Sequence, residues 1–571
     1  MKDKTTTIYK NAILNKATDV LQIFIKYIIV IISMLFLGFI FLQSFFGSTF
    51  LDFCESSFFI EKPFWSTVLI VLIPILIAII VKIILQKYSI SIVTPNYIFL
   101  GIVTVVYTIL MIMFVYKTGI PAMDDQELIL NAANDLLNNV PDMWDKGAYC
   151  YRFPNQNGFV LFVALGLKMF GADNQMVFQY LNIPMLILSS FFLSKTIYLL
   201  FNDKKLARYS YILLLGFFQL NCYVTFVYGT LYGLAASVAG IFLLIKYFKK
   251  RNIVNGLVGI SLLSIGYGFK SNYLIMIVAA CLLLLFDAIV KKSLKSVISL
   301  VWGIVFYVVV VTSISSTIYH LTGKKVDEGT PNTAWVAMGL QESYKAPGWW
   351  NGYNAKVFAD NEYDISKTKE AISQNISERM EELKKDKDYT MSFFSKKTAS
   401  QWSEGTFECF YITNLDRGRL SNPTWTDSVK NLMVDGHSAN RAVTTICNYF
   451  IVFLWLGIIL FLIFDFRKLD AYKLIFAITF IGGFLFHLVW EAKGQYTIIY
   501  AYLMIPYMLR GYQLLLRRVC NISLGEKEAK EKRGTIIPVV VIALVVIVIG
   551  ISNNKVVNET IKLNGDKERY E

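Results

Sequence analysis

Residues 97–130 read YIFLGIVTVVYTILMIMFVYKTGIPAMDDQELIL and place two adjacent carboxylates, Asp124 and Asp125, shortly after a long apolar run. A helix needs roughly 20 apolar residues to cross the hydrocarbon core of a bilayer, so the run that begins at Tyr97 predicts a membrane-spanning helix. The acidic pair is therefore expected at the membrane surface, just beyond the end of that helix.

The whole chain has the composition of an integral membrane protein. Of its 571 residues, 55% are hydrophobic and only 17% are charged, which is too apolar for a soluble fold. The formal net charge of +14 is carried by short basic clusters between apolar runs, where Lys and Arg orient helices against the bilayer. We therefore expect membrane lipids as partners and no nucleic acid.

The positions of the lysines predict the topology. Lysines before the first apolar run favour a cytoplasmic N-terminus, and Lys82 with Lys87 mark the next cytoplasmic turn. The third helix then exits outward, so that Asp124 and Asp125 face the outside. The first apolar run has no small-residue cleavage site after it, which predicts a retained helix rather than a signal peptide.

Apolar runs of similar length recur along the chain and predict about 13 crossings. The first three begin near Tyr27, Phe64 and Tyr97, and the others cover residues 176–200, 210–222, 231–245, 253–269, 273–290, 297–318, 449–464, 474–490, 497–514 and 536–551. Residues 157–170 are also apolar, but about 14 residues make only roughly 21 Å of helix, short of a core of roughly 30 Å. We assign them to an interfacial or re-entrant helix on the outer side.

The sequence therefore predicts an all-α polytopic membrane protein with a small external α-rich domain. That domain is expected in the long polar segment 319–440, where the spacing of Ile372, Ile376, Met380 and Leu383 predicts an amphipathic helix. The predicted divisions are membrane helices over 1–116, an external catalytic loop with interfacial helices over 117–175, membrane helices over 176–318, an external domain or lid over 319–440, membrane helices over 441–552 and an external tail over 553–571.

Both long polar segments fall on the outer side, which limits the possible functions. The chain has no Gly-rich phosphate loop and no cytoplasmic domain to hold a nucleotide, so an energy-rich donor must be carried by the membrane itself. We therefore expect an enzyme that transfers sugar from a polyprenyl-phosphate-linked donor to an external glycan, lipid or protein. Such a reaction needs a carboxylate to deprotonate the acceptor hydroxyl and cations to hold the departing phosphate.

Asp124 and Asp125 are the candidates for that general base. The alternative is a helix cap, because Asp before the periodic apolar residues of 128–136 is a common helix start. A cap accounts for one carboxylate and leaves the other, beside a like charge, unexplained.

Residues 133–136 (ANDL) and 151–158 (YRFPNQNG), which follow the acidic pair, resemble the first external loop of GT-C membrane glycosyltransferases. The likeness is to the bacterial relatives of protein O-mannosyltransferases and 4-amino-arabinose transferases. It implies a GT-C-like fold, with the first-loop acid, here most naturally Asp125, as catalytic base. Those transferases often have Asp-Glu where this chain has Asp125-Gln126 or Asp124-Asp125, so the base within the pair stays open. Asn155 and Asn157 of the motif become candidate substrate contacts.

The external segment is similar to the long loop of Gram-positive members of that group. It contains residues 331–335 (PNTAW) and 348–354 (GWWNGYN), in which Trp349 and Tyr353 suit the apolar face and hydroxyl rim of a sugar. Anchoring at the membrane interface is the alternative. Glu404 lies in a stretch that could close over the site, whereas Lys396 and Lys397 fit a solvated helix face equally well.

Lys270 and Arg152 are the candidates for binding the donor's phosphate. Lys270 falls in a short turn predicted on the outer side, against the usual bias of basic residues toward the cytoplasm. Snorkelling to lipid headgroups is the alternative explanation.

His487, Glu491 and Tyr496 complete the candidate site. His487 and Glu491 are four residues apart, so on one helix they would share a face. The stretch resembles the Trp-Glu-Ala and Arg-Tyr pattern of these transferases, with Gln495 in place of the arginine. A structural pair of Glu491 with His487 or Lys493 is the alternative. One His with dispersed acids is no metal signature, so we predict no metal and no cofactor.

Two other classes of function remain as rivals. A lipid-linked-saccharide transporter or flippase would place ionisable residues near the bilayer midplane, where this chain is nearly uncharged. A polysaccharide polymerase or ligase that uses polyprenyl-diphosphate donors differs by one phosphate, which the sequence does not distinguish. The seven cysteines are scattered and are read as packing residues, with a Cys150–Cys409 disulfide left open. Composition favours a multi-pass protein of a Gram-positive cell membrane.

Overall fold

The computed structural model describes residues 2–52, 55–89, 93–171, 174–413, 426–434 and 437–523. Within these ranges the chain is built almost entirely from helices, as its apolar runs predict. The helices are α1 (Lys2–Phe46), α2 (Phe64–Lys87), α3 (Tyr97–Thr118), α4 (Asp125–Asn138), α5 (Tyr149–Arg152), α6 (Asn157–Phe170), α7 (Met176–Phe201), α8 (Lys204–Leu215), α9 (Phe218–Cys222), α10 (Thr230–Lys250), α11 (Ile253–Phe269), α12 (Leu274–Val290), α13 (Leu294–Thr322), α14 (Thr333–Gly339), α15 (Tyr353–Asp360), α16 (Ile365–Lys385), α17 (Lys387–Trp402), α18 (Cys409–Thr413), α19 (Asp427–Met433), α20 (Ser438–Phe464), α21 (Ile475–Val489) and α22 (Gly494–Ser523).

Nine helical segments of the described chain are long and apolar enough to cross a membrane. They involve α1, α2, α3, α7, α10, α12, α13, α20 and α21. Side chains of α2 and α3 point outward along most of their length, so these two helices lie at the periphery, where lipid surrounds them. The polytopic helical fold is thus present, with fewer long spans than the expected count.

Two of the expected crossings differ from the prediction, and a third has the predicted bounds but is shorter than the nine long segments. Residues 210–222 are divided at Gly216 into parts of α8 and α9, and the 12 residues of α8 make only about 18 Å. Residues 253–269 form α11 as expected, with a shorter length of 17 residues. Residues 497–514 lie inside the more polar α22. The crossing expected at 536–551 and the tail at 553–571 lie outside the described residues.

A β-hairpin follows α1, which corrects the all-α expectation. Strands β1 (Gly47–Leu51) and β2 (Ser57–Glu61) pair antiparallel, with Gly47 opposite Glu61 and Phe50 opposite Phe58. The connection between them carries Glu55, which reaches the candidate site described below. No strand had been predicted between the first two apolar runs.

The first loop folds as a helical unit on the start of α7. The 14 residues of α6 form one helix, as predicted, and bury Phe159 and Val163 in a cluster with Ile129 and Ala133 of α4. Two glutamines of the next segment fix the chain before α4: Gln175 accepts a hydrogen bond from the backbone N–H of Ala122 (3.1 Å) and Gln179 donates to the carbonyl of Ile120 (2.8 Å). These contacts hold the start of α4, and hence Asp125, at one end of the bundle.

The described residues of the segment 319–440 are mostly helical, as predicted, but its helices α17 and α18 do not form a separate lid. The amphipathic helix expected from Ile372 and Leu383 is α16, which buries both residues. The following helix, α17, enters the bundle, and its Trp402 packs against Trp455 and Tyr500. Most residues of 393–413 are therefore buried in the bundle.

Small residues allow α10 and α11 to approach closely. A Cβ atom added to Gly240 would lie 2.6 Å from the carbonyl oxygen of Gly259, well inside van der Waals contact. Gly101 on α3 is a matched control, because a Cβ there has no neighbour within 4 Å.

We expect Gly240→Ala to lower the free energy of unfolding by about 1–3 kcal/mol through overpacking, seen as a lower Tm in detergent. Gly101→Ala should leave Tm unchanged or raise it, since alanine favours a helix. Equal Tm values for the two variants would contradict the close approach.

Candidate functional site

Asp125 is the first residue of α4, and Asp124 stands before it in a strained backbone conformation. Asp124 has φ 52° and ψ −130°, a region that residues with a side chain seldom adopt. It occupies the cap position, yet its side chain makes no capping hydrogen bond. A simple helix cap therefore does not explain the acidic pair.

The Asp125 side chain is accessible to solvent although protein encloses it on most sides. Burial raises the pKa of Asp125 above its ordinary value, the cations of Lys493 and Lys270 oppose this, and the charge of Asp124 adds to it. The phenol of Tyr149 lies beside the same carboxylate. A group that keeps contact with water while losing most of its hydration is typical of the wall of a cleft.

Lys270 follows α11 directly and is a buried cation. Its Nζ donates to the hydroxyl of Thr230 (2.8 Å) and lies 4.8 Å and 5.6 Å from the ring centres of Tyr228 and Tyr496. Among the described residues, no carboxylate lies within 4.0 Å of it to form an ion pair. Burial lowers the pKa of Lys270 to about 7, and repulsion from Lys493 contributes.

A buried row of alternating charges stands next to these residues. Lys493 Nζ lies 2.8 Å from Glu55 Oε1 and 4.0 Å from Glu408 Oε2, and Glu55 also pairs with Lys345. Burial alone would raise the pKa of Glu55, but the two lysines outweigh it and hold that pKa below its usual range. The row joins the hairpin after α1 (Glu55), the connection between α14 and α15 (Lys345), the turn between α17 and α18 (Glu408) and the linker after α21 (Lys493).

The backbone is strained at the two carboxylates of this row and at the residue before Glu408. Glu55, Phe407 and Glu408 have φ values of 60°, 49° and 61°. Glu408 is held there by the backbone N–H groups of Gly494 (2.5 Å) and Gln495 (3.3 Å), which donate to its Oε1. Positive φ at residues other than Gly costs about 1–3 kcal/mol each and persists where the surroundings demand it, frequently at functional sites.

The predicted arrangement of His487 and Glu491 is wrong in one respect. Helix α21 ends at Val489, so the two residues do not share a helix face. Glu491 instead accepts a hydrogen bond from the hydroxyl of Tyr496 (3.3 Å), and the ring of Tyr496 stacks on that of His487 at 5.8 Å. Burial raises the pKa of Glu491 to about 7, with Lys493 opposing and Asp125 among the charges that add to the rise.

The structure brings together only some of the other predicted residues. Arg152 lies over the ring of Phe153 at 5.1 Å, and its Nε is buried without a hydrogen-bond partner in the described chain. It does not contact the groups around Asp125. Asn157 is buried and accepts from Trp144 Nε1 (3.1 Å), whereas Asn155 is exposed.

Three residues of the external segment that were predicted to contact substrate form hydrogen bonds within that segment. Trp349 is buried and donates to Ser400 Oγ (2.8 Å), and the hydroxyl of Tyr353 accepts from Asn375 (2.7 Å). The carboxylate of Glu404 accepts from Thr406 within its own turn, from the backbone N–H at 2.9 Å and from the hydroxyl at 2.6 Å. Lys397, read as a possible solvated residue, is buried and donates to the carbonyl of Gly339.

Several site residues had no clear signal in the sequence. Glu55 and Glu408 come from segments far apart in the chain, and Tyr149 and Tyr228 are two of 33 tyrosines. Lys493 had been considered only as a partner of Glu491. The described residues contain no group of three or more His, Cys, Asp or Glu suited to a metal ion, and Cys150 and Cys409 are both free thiols.

Comparison with known proteins identifies a family for this chain. A family model described as conserved hypothetical integral membrane protein matches residues 24–516, and the chain belongs to that family. No curated protein and no solved structure matches it. Together with the apolar helices, this establishes an integral, multi-pass membrane protein.

The buried charge row makes a testable contribution to stability. Glu55→Gln leaves two buried lysines without their shared carboxylate, so we expect the free energy of unfolding to fall by about 3–5 kcal/mol. Glu328→Gln removes one side of an exposed pair with Lys369 (2.7 Å) and should change it by less than about 1 kcal/mol. Thermal or denaturant unfolding in detergent measures both.

The difference in free energy of unfolding between wild type and Glu55→Gln should depend on pH, and the pKa of Glu55 determines the direction. Because the folded-state pKa of Glu55 lies below its ordinary value of 4.5, its stabilisation is fully present above that pH and is lost as pH falls through the folded-state pKa. The difference between wild type and Glu55→Gln should therefore shrink in strong acid. A difference that grows in acid would contradict the ion pair.

Proposed function

We propose that this member of the integral membrane family is a glycosyltransferase that uses a polyprenyl-phosphate-linked sugar. The acceptor is a cell-wall polymer, glycolipid or protein at the outer face of the cell membrane, in keeping with the Gram-positive composition. The observation that carries the proposal is a solvent-accessible Asp125 that interacts electrostatically with a buried Lys270, which has no carboxylate within 4.0 Å in the described chain. A carboxylate for a proton and a cation for a phosphate are the two charges that this reaction requires.

Lys270 supports the phosphate side of the reaction. Burying a lysine without an anionic partner in contact costs free energy. Here a hydroxyl, two aromatic rings and the more distant charges of Asp125 and Glu408 offset part of that cost. An anion that entered the site would remove the cost and raise the pKa of Lys270 from about 7. In the transition state, negative charge develops on the departing phosphate oxygen, and the Lys270 cation would stabilise that charge.

Asp125 supports the proton side of the reaction. Its pKa is raised by burial, which makes the carboxylate a better proton acceptor than one in water. In the proposed step the acceptor hydroxyl gives its proton to Asp125, its oxygen bonds to the anomeric carbon, and the bond from that carbon to the phosphate oxygen breaks. The products are the glycosylated acceptor, protonated Asp125 and polyprenyl phosphate.

Glu491 is a second carboxyl group of the candidate site and is the alternative to Asp125 as the base. Its pKa of about 7 would also suit proton transfer, but the side chain is buried and already accepts from Tyr496. Asp125 is open to solvent, as an acceptor-activating base must be. We therefore assign the base to Asp125 and a supporting role to Glu491.

The role of Asp125 can be tested with matched variants on α4. Asp125→Asn should slow the release of polyprenyl phosphate from a radiolabelled polyprenyl-phosphate hexose by about 10²–10⁴-fold. Glu127→Gln, an exposed change two residues further along the same helix, should retain activity. If Asp125→Asn and Asp124→Asn both keep full activity, the mechanism is wrong.

The role of Lys270 predicts a pH-dependent affinity for the donor. Its cation is present below a pKa of about 7, so donor binding to the wild type should weaken as pH rises above that value. Lys270→Met should bind the donor at least tenfold more weakly and lose this pH dependence. Equilibrium binding of the labelled donor measures both.

Lys117→Met is the control, because Lys117 is exposed near the same end of the bundle. It should bind the donor as the wild type does. Unchanged donor binding by Lys270→Met would remove Lys270 from the site.

A further inference from the structure

The opposite end of the bundle carries a cluster of cations on a lipid-facing surface. Helix α3 has 22 residues and so spans about 33 Å, with Tyr97 at one end and the chain leading to Asp125 at the other. Beside Tyr97 lie Lys195 of α7 and Arg208 of α8, and we call these with Lys204 the basic patch. It is remote from the candidate site and takes no part in the proposed reaction.

The contacts of the basic patch converge on the ring of Tyr97. The Arg208 guanidinium lies 4.4 Å from the ring centre and Lys195 Nζ lies 5.6 Å from it. Lys195 is also 5.2 Å from the ring of Phe191, and Arg208 Nη1 donates to the carbonyl of Pro95 (2.5 Å). Lys204 precedes Arg208 by four residues on the same helix, so it lies on the same face.

Two buried or half-buried arginines at this end of the molecule have acidic partners. Arg251 pairs with Asp287 at 2.5 Å, and Arg510 pairs with Asp465 at 2.9 Å. By contrast, no carboxylate lies within 4.0 Å of the cations of the basic patch among the residues that the structure describes. Gathering like charges without a counter-ion is unfavourable, and more so beside a bilayer, where the dielectric constant is low.

The surroundings of the basic patch are apolar and exposed. Tyr97 is 69% exposed, and Ile98, Leu188 and Phe191 are 75%, 40% and 43% exposed. In a membrane protein such side chains contact acyl chains, and cations beside them reach the headgroup level. The patch therefore presents cations directly above a surface suited to hydrocarbon.

We propose that Lys195, Lys204 and Arg208 bind the phosphate of an anionic lipid whose acyl chains lie along Tyr97 and Phe191. Arg208 supplies planar N–H donors that match phosphate oxygens, and the two lysines supply charge. The rings hold the cations in place through cation–π contacts when no lipid is bound. Basic clusters at the ends of membrane helices attract anionic headgroups.

Native mass spectrometry of the full-length protein in detergent tests this site. The probes are phosphatidylglycerol, phosphatidylcholine and inorganic phosphate, each titrated separately. We expect the wild type to retain phosphatidylglycerol over phosphatidylcholine, and Lys195→Gln/Arg208→Gln to bind it at least fivefold more weakly. Lys195→Gln alone removes one half-buried charge from an apolar setting and should show an intermediate loss with the fold intact.

Lys249→Gln/Lys250→Gln is the matched control, because it removes two exposed positive charges from the end of α10. If that variant loses less than twofold in phosphatidylglycerol binding, the result supports a specific site. Equal losses of binding in both double variants would indicate general charge attraction and overturn the proposal. If inorganic phosphate competes with phosphatidylglycerol, the patch binds phosphate, but its ligand is a soluble one and the lipid assignment is wrong. Binding that ignores the headgroup charge would reject the proposal.

Discussion

The buried ion pair between Lys493 and Glu55 is the interaction on which the candidate site depends. Its two partners come from opposite ends of the sequence and meet at a distance of 2.8 Å, with Glu408 and Lys345 extending the row. Charges without water must be paired, so each of the four segments that supply them fixes the position of the others. The row also lies close enough to Asp125 and Glu491 to affect their pKa values. The same ion pairs therefore contribute to the stability of the fold and to the electrostatics of the site.

The two ends of the bundle use charge in different ways. At the Asp125 end, Lys493 and Lys345 pair with acids, whereas Lys270 donates to a hydroxyl and Lys397 to a backbone carbonyl. The backbone of this end is strained at Asp124, Glu55 and Glu408. At the opposite end, Arg251 and Arg510 pair with acids, while the cations beside Tyr97 have no carboxylate within 4.0 Å in the described chain. A cation without a counter-ion is costly in either setting, and we propose phosphate-bearing ligands for Lys270 and for the basic patch.

Local features of the fold could be predicted from the sequence, and distant pairings could not. The run from Tyr97, the short helix α6 and the start of α4 at Asp125 follow from hydrophobic length and period. The break at Gly216 was missed because a window of apolar residues does not distinguish one crossing from two short buried helices. The end of α21 at Val489 separated His487 from Glu491 for a similar reason. The ion pair of Glu55 with Lys493 depends on tertiary contacts that no spacing in the chain reveals.

The burial of α17 bears on how this protein is made. Gln43 of α1 donates to Ser395 at a separation of 352 residues, and Ser44 to Ser403 at 359 residues. Thr497 of α22 donates in turn to the carbonyl of Gln401. Because α1 leaves the ribosome first and α22 last among the described helices, the partners of α1 are absent during most of synthesis. Contacts of such long range are slow to form, so the nascent protein must wait in the bilayer with its first helix incompletely packed until translation is nearly finished.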